Sequence, residues 1–280
     1  MQKQLYTFAL NLYSYVEILG YIASILIGIS LGLIGGGGSI LTVPVLVYLF
    51  RIDATLATSY SLFIVGFSSL VGAYRNYRKG WVSFKTAFLF GLSSITTVFT
   101  TRKLIVPRIP QEIAHFGTFS VNKAMLTMVL FAILMLMASL SMIRSKTNEQ
   151  VETVADTTIP VYKLFVYGIG IGIVTGLLGA GGGFLIIPAL VFLVKLPMKE
   201  AIGTSLLIIA LNSLIGFTGD IGQYPIDWIF LLKITVIAIA GIFIGSELGK
   251  SIPGSKLKKG FGWFVLIMGI WIIMRELFMK

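Results

Sequence analysis

The stretches GISLGLIGGGGSILTVP at residues 28–44 and GIVTGLLGAGGGFLIIP at residues 172–188 contain the pattern from which the architecture of this chain follows. They lie 144 residues apart and align without a gap, with several glycines and a proline at matching positions. The match continues beyond them, and its identical pairs include Ala57 and Ala201, Ser61 and Ser205, and Ser69 and Ser213. The pattern therefore predicts a chain built from two related halves.

The composition places both halves in a membrane. Hydrophobic residues make up 56% of the 280 residues and charged residues 12%, with a mean hydropathy of +0.95. Soluble domains carry about 25% charged residues. The net charge of +11 comes from basic residues that stand singly or in small groups between apolar runs, which is typical of membrane-flanking positions. With one histidine and no cysteine, we predict no cofactor, no metal site and no nucleic-acid partner.

Apolar segments long enough to form membrane helices recur in each half. The polar stretch 144–160 predicts a linker between a first transmembrane repeat at 1–143 and a second at 161–280. The expected fold class is an all-α polytopic helical bundle of two homologous halves with about 8–10 hydrophobic segments. The segments are Val16–Ile34, Ile40–Phe50, Leu56–Tyr74, Phe84–Thr101, Lys123–Ile143, Tyr162–Leu178, Phe184–Val194, Ala201–Gly219, Trp228–Gly249 and Phe261–Met279.

The second segment of each half, Ile40–Phe50 and Phe184–Val194, has eleven residues and is too short to span a bilayer unaided. Each follows a glycine cluster, at Gly35–Gly38 and at Gly181–Gly183. Consecutive glycines weaken a helix, and unwound backbone at membrane depth survives only inside protein or beside water. The pattern predicts two broken helices whose N-terminal N–H groups could bind an anion.

The distribution of Lys and Arg favours halves of inverted topology. If the short segments cross, the loops assigned to the cytoplasm hold 13 basic residues against 8 outside, with Lys233 uncounted. If the halves were parallel, the division would be 10 against 11. Inversion places Arg102 and Lys123 outside. Lys233 is then the one plausible cation within the spans, expected to extend to the interface, and Asp220 reads as an exposed loop acid.

The candidate substrate-binding residues lie in the glycine clusters and on the helices that follow them. Hydroxyl and amide groups can donate hydrogen bonds to an oxyanion without a buried charge, although they also hold helices together. For Gly28, Gly32, Gly172 and Gly176, whose spacing lets helices approach closely, we predict a packing role. The candidate site comprises Gly36, Gly37, Gly38, Ser39, Ser61, Gly181, Gly182, Gly183, Thr204, Ser205 and Asn212.

The paired boxes LIGGGGSILTVP and LLGAGGGFLIIP, each followed by an alanine and a Ser-Leu, resemble the TauE/SafE sulfite exporter family. The second half carries the fuller pattern, AIGTSL at 201–206, whereas the first half has Ser59-Tyr60 in place of its Gly-Thr pair. The resemblance implies about eight spans and transport of sulfite, sulfoacetate or another organosulfonate across the cytoplasmic membrane. It also implies two partners, a small anionic substrate and the lipid bilayer. A coupling proton or ion and an oligomeric state stay open.

Three classes of function remain at this point. The repeat and the broken helices favour a secondary transporter that works by alternating access. A structural or assembly subunit of a membrane complex is the second class. An intramembrane enzyme is the third, and it is disfavoured because it would need a nucleophile with a base, or a metal pair, within the spans.

Overall fold

The computed structural model describes residues 2–36, 38–116, 119–144, 161–179, 181–192, 194, 196–251 and 254–278. This part of the chain contains ten α-helices and one β-hairpin, which confirms the all-α polytopic class. The helices are α1 (Gln2–Ile34), α2 (Ser39–Tyr48), α3 (Ala54–Tyr77), α4 (Phe84–Thr100), α5 (Lys123–Arg144), α6 (Val161–Leu178), α7 (Gly183–Phe192), α8 (Met198–Thr218), α9 (Trp228–Ser251) and α10 (Gly254–Phe278). The hairpin pairs β1 (Glu112–Phe116) with β2 (Phe119–Asn122). The predicted linker lies, apart from Arg144, outside the described residues.

Helix length separates the spanning elements from the short ones. Four described helices are long and apolar enough to cross a membrane, at Ala54–Tyr77, Lys123–Arg144, Lys199–Thr218 and Trp228–Gly249. Helices α2 and α7 have ten residues each, a rise of about 15 Å, or half of a bilayer core of about 30 Å. Both follow a glycine cluster, so the predicted pair of short helices is confirmed.

Each helix packs against the same partner as its equivalent in the other half, once the partner is also replaced by its equivalent. Helix α1 packs along α9 and α6 packs along α4, while α3 packs against its own equivalent α8 and α5 against α10. Along the α3–α8 interface Gly66 faces Leu214 and Gly216 faces Leu62, so these two helices run antiparallel. At this interface a helix of the first half and its equivalent in the second half therefore point in opposite directions.

Glycines at four predicted packing positions sit at close helix crossings. A Cβ at Gly28 or Gly32 would overlap the backbone of α9 around Ala238 and Ile242. Of the equivalent glycines of α6, Gly172 meets the backbone of Ser94 on α4, and Gly176 meets the side chain of Thr101 in the continuation of α4. The packing role predicted for these four glycines is confirmed.

Apolar side chains fill the interior and also cover the outside of the bundle. Ile27, Phe131 and Ile242 belong to one buried cluster that joins helices from both halves. On α9, Leu232 and Val236 are exposed by more than half, as expected for a face turned to lipid. Lys233 is exposed between them, which agrees with the interpretation that it extends toward the interface.

Candidate functional site at two touching helix breaks

At both glycine breaks the preceding helix ends in the same way. Helix α1 stops at Ile34, and Gly35 takes a left-handed conformation (φ 81°) with its N–H donated to the carbonyl of Leu31 at 2.8 Å. Helix α6 stops at Leu178, and Gly179 (φ 66°) donates to the carbonyl of Thr175 at 2.9 Å. Such a glycine ends a helix because a residue with a Cβ is strained at positive φ.

Beyond these endings the two breaks touch each other. A Cβ at Gly36 would overlap the carbonyl of Gly183, and a Cβ at Gly183 would lie 2.8 Å from the Cα of Gly36. Ser39 begins α2 and donates its hydroxyl to the carbonyl of Gly36 at 2.8 Å. The structure thus brings together the predicted site residues Gly36, Ser39 and Gly183, whereas Gly37 lies outside the described residues.

The remaining glycines of the clusters have different surroundings. Gly181 (φ 64°) faces the hydroxyl of Ser213, and Gly182 (φ 71°) faces the hydroxyl of Thr175. Gly38 instead packs back on α1 beside Leu31, away from the second break. The second break therefore presents its bare backbone to polar side chains, and Gly38 does not.

Several buried hydroxyl groups have no hydrogen-bond partner in the described structure, and two of them, those of Thr175 and Ser213, face the second break. In the described part of the chain, the oxygens of several fully buried side chains find neither donor nor acceptor. Leaving a buried polar atom unpaired costs about 1–3 kcal/mol, so such groups are ordinarily satisfied by water or by a ligand. They are Ser61, Ser68 and Ser69 of α3, Thr175 of α6 and Ser213 of α8.

The other predicted polar residues are partly engaged. Asn212 accepts a hydrogen bond from Ser94 at 3.0 Å through its Oδ1, while its Nδ2 has no partner among the described residues. Ser205 donates to the carbonyl of Ile202 at 2.9 Å, within its own helix. Asn212 thus keeps an amide donor for a ligand, and Ser205 does not offer its hydroxyl proton.

Thr204 holds a loop, and its counterpart in the first half does the same. The Oγ1 of Thr204 accepts the N–H of Ser83 at 2.9 Å. The hydroxyl of Tyr60 accepts the N–H of Asp227 at 2.7 Å. Tyr60 and Thr204 are 144 residues apart, as are Ser83 and Asp227. The substitution of tyrosine in the first-half motif therefore preserves the anchor that precedes α4 and α9.

One pair of charges lies where none was expected. The prediction that Asp220 is an exposed loop acid is wrong: its side chain and that of Arg102 are both fully buried, with Nη1 and Oδ2 3.2 Å apart. Arg102 belongs to a single π-helical turn, Thr101–Ile105, that continues α4. The prediction that Lys233 is the one plausible cation of the interior is wrong as well. The sequence does contain a signal for this pair, because Arg102 and Asp220 have opposite charges and each directly follows an apolar segment.

Arg102 reaches from the end of α4 to the second break. A Cβ at Gly179 would lie 2.5 Å from its Nη2 and 2.5 Å from the Cβ of Thr58. None of its three guanidinium nitrogens has hydrogen-bond geometry to an acceptor in the described structure. Burial raises the pKa of the Asp220 carboxyl above its ordinary value, while Arg102, the hydroxyl of Ser59 and, more weakly, Lys123 act in the opposite direction.

A small cavity is lined by Thr58, which, like Arg102, crowds Gly179 of the second break. Its volume is about 110 Å³, and its polar lining comes from Thr55, Thr58, Lys123 and Thr127. Lys123 is itself buried and donates its Nζ to the carbonyl of Val106 at 2.7 Å. The volume is several times the minimum of about 10–15 Å³ for one water, so the cavity has room for a compact oxyanion.

Comparisons with known proteins agree with this architecture. The family model described as Sulfite exporter TauE/SafE matches residues 20–272. A "Probable membrane transporter protein" of Xylella fastidiosa (strain 9a5c) is 31% identical over 258 residues, which cover 90% of this chain and 92% of the relative. The "Probable membrane transporter protein YdhB" of Bacillus subtilis (strain 168) is 27% identical over 248 residues, with 89% and 96% covered. No solved structure matches the chain.

Proposed function

The chain belongs to the sulfite exporter TauE/SafE family, and we propose from this that it is a secondary transporter of small sulfur-containing anions. It carries sulfite or an organosulfonate across the cytoplasmic membrane by alternating access. The anion binds between the two glycine breaks. A role as a membrane transporter agrees with the names of its relatives, which are described as probable membrane transporter proteins.

The observation that carries this proposal is the pair of unpaired hydroxyls that face the second of two touching helix breaks. A subunit with a purely structural role would be expected to satisfy its buried polar groups within the protein. Here Thr175 and Ser213 are buried without a partner in the described structure, and their hydroxyls face Gly182 and Gly181, where glycine leaves the backbone uncovered. Several convergent donors in a buried place are what a compact oxyanion requires.

The packing of equivalent helices supports the inverted relation of the halves. Helices α3 and α8 run antiparallel, and so do α5 and α10, where Gly262 faces Ile143 and Gly269 faces Leu136. In transporters with inverted repeats, broken helices from both repeats meet near the midplane, and one repeat moves against the other around that site. The contact of Gly36 with Gly183 matches this arrangement.

Neutral donors suit an anion that must also be released. Each neutral hydrogen bond contributes about 1 kcal/mol net and one to a charged group about 1.5–3 kcal/mol. Three or four such bonds give micromolar to millimolar affinity, since each 1.4 kcal/mol changes the dissociation constant about tenfold. Binding of that strength lets the anion leave on the other side in every cycle.

Flux measurements on purified protein in liposomes test the proposal. We expect uptake of radiolabelled sulfite well above that of protein-free liposomes, and competition from unlabelled sulfite and methanesulfonate. Chloride serves as the control anion because it has no oxygen atoms to which the donors of the site could bind. Uptake no faster than in protein-free liposomes, for sulfite and for labelled methanesulfonate alike, would contradict the proposed function.

A further inference from the structure

Arg102 is an arginine whose burial is only partly compensated. Its side chain is fully buried and faces one carboxylate, that of Asp220, without hydrogen-bond geometry. An ion taken out of water costs several kcal/mol unless both its charge and its hydrogen bonds are satisfied. Asp220 offsets the charge but leaves the donors of Arg102 unused. Buried charges in membrane proteins ordinarily mark a pathway for substrate or ions.

The groups around the pair add positive charge. From the start of α5, Lys123 acts on both Arg102 and Asp220. From the loop after α8, Tyr224 faces the pair, and Asp53 at the start of α3 acts on Tyr224 and Lys123. Asp53 is engaged elsewhere, because its carboxylate caps α3 by accepting the N–H groups of Thr55 and Leu56. With Asp220 ionised, the buried charges of this region sum to one positive charge.

Thr58 is common to a cavity and to the surroundings of Arg102. It lines the cavity of about 110 Å³ and, with Nη2 of Arg102, crowds Gly179 of the second break. Lys123 lines the same cavity. An anion that enters the cavity therefore contacts Thr58, which crowds the same glycine of the break as the Arg102 guanidinium.

We propose that Arg102 is an anion-binding residue of the second break and that Asp220 competes with the anion for its guanidinium. This inference rests on the proposed transport function and assigns it a charged contact and a coupling ion. When Asp220 takes up a proton from a hydronium ion, an O–H bond forms, the ion is left as water and the carboxyl becomes neutral. Arg102 then pairs with an oxygen of the anion. A monovalent anion and a proton enter together, and the charge of the buried region stays unchanged.

The coupling has a definite sign. A carboxylate that is protonated more easily in the presence of the anion binds the anion more tightly at low pH, by thermodynamic reciprocity. Burial raises the pKa of Asp220 above its ordinary value, and an anion that takes the place of Asp220 on Arg102 removes the contact that opposes this shift. Anion affinity therefore rises as the pH falls through the pKa of Asp220. An inward proton gradient drives accumulation of the anion.

The test uses substitutions at the pair and a matched ion pair elsewhere. Arg75 and Glu247 lie 3.1 Å apart but are partly exposed, which makes Arg75→Gln the control. We expect Arg102→Gln to raise the half-saturating concentration of sulfite at least tenfold and Arg75→Gln to leave it unchanged. Asp220→Asn should bind sulfite but lose the dependence on pH. Because sulfite itself gains a proton in this range, the wild-type and Asp220→Asn profiles are compared for the same anion.

A double substitution separates a functional pair from a structural one. Arg102→Gln combined with Asp220→Asn removes both charges and leaves no buried ion without a partner. Size-exclusion profiles and thermal unfolding in detergent report folding, and liposome flux reports transport. We expect the double variant to recover stability while sulfite affinity stays at least tenfold weaker. Recovery of both would assign the pair to the fold alone and overturn the inference.

The two proposals fail in distinguishable ways. If wild-type protein carries neither sulfite nor methanesulfonate, the transport function itself fails. If the wild type carries sulfite while Arg102→Gln keeps its affinity and Asp220→Asn keeps its pH profile, this inference alone is overturned. Proton entry, followed with a pH-sensitive dye inside the liposomes, should accompany sulfite uptake in the wild type and be lost in Asp220→Asn.

Discussion

At the first break Gly35 takes a left-handed conformation against Ile202, and at the second Gly179 does so against Thr58. Ile202 and Thr58 are 144 residues apart, so the two endings and their neighbours are equivalent. The loop anchors of Tyr60 and Thr204 are equivalent in the same sense. The backbone of the two halves is thus repeated down to single hydrogen bonds.

The charges near the breaks are not repeated. Arg102 and Asp220 flank the second break, whereas their equivalents in the other half, at the offset of 144, are Ser246 and Asn76. Ser246 donates to the carbonyl of Ile242 at 2.6 Å and Asn76 to that of Gly72 at 2.9 Å, each within its own helix. The backbone hydrogen bonds are therefore the same in both halves. The side chains at equivalent positions differ, and they give the surroundings of the two breaks different charges.

Labelling from one side of the membrane tests whether the two breaks belong to inverted halves. Single cysteines at Arg78 and Gln223, both exposed, should react with an impermeant maleimide from opposite sides of intact cells. The chain has no native cysteine, so the background is low. We expect an all-or-none difference between the two positions. Equal reaction from one side would mean that the inverted arrangement is wrong.

A bulky side chain at the second break should abolish transport. In Gly182→Leu the residue sits at φ 71° and its Cβ meets the hydroxyl of Thr175, so the break cannot keep its backbone. Sulfite flux in liposomes should fall more than about 100-fold, as for the loss of a site. Gly170→Leu on the same segment is the control, because nothing lies within 4 Å of its Cβ.

In contrast, Gly32→Leu should reduce assembly, measured as the yield of monodisperse protein, because Gly32 packs on the backbone of α9. Full transport by Gly182→Leu would remove the second break from the binding site. A normal yield of monodisperse Gly32→Leu would show that the protein assembles even when a side chain moves α1 away from α9.

The amide of Asn212 should contribute more to binding than its equivalent Ser68. Asn212→Leu removes a buried Nδ2 donor that has no partner in the described protein. We expect the half-saturating sulfite concentration to rise about tenfold, or about 1.4 kcal/mol. Ser68→Ala should change it less than about threefold, since a hydroxyl supplies one donor and its neighbours can replace it. Equal effects at both positions would indicate that the site is as symmetric as the backbone.

The smallest effects should come from the repeated loop anchors. Tyr60→Phe and Thr204→Val each remove an acceptor of one backbone N–H, from Asp227 and Ser83. Each loss should cost about 1 kcal/mol, a fall of a few degrees in the thermal unfolding temperature. Sulfite affinity should stay unchanged in both. A tenfold loss of affinity in Thr204→Val alone would place Thr204 in the anion site.

Local sequence was sufficient for the elements of the fold. Apolar length predicted the segments, and the glycine clusters predicted the short helices α2 and α7, since both depend on residues within one or two turns. The packing glycines, such as Gly28 and Gly172, were likewise predictable because their spacing describes one face of one helix. The separate roles of Thr204 and Asn212 were not, because each depends on a partner from another helix, Ser83 for one and Ser94 for the other.

The sequence by itself determined that this chain is a membrane bundle of two related halves with a break in each, because hydrophobicity and the strain of glycine runs act locally along the chain. Only the tertiary structure decided that the breaks touch at Gly36 and Gly183 and that Arg102 and Asp220 are buried together. Each of these charges alone reads as the solvated end of a span. Their burial follows from the packing of helices whose ends lie more than 100 residues apart, and no local pattern encodes that distance.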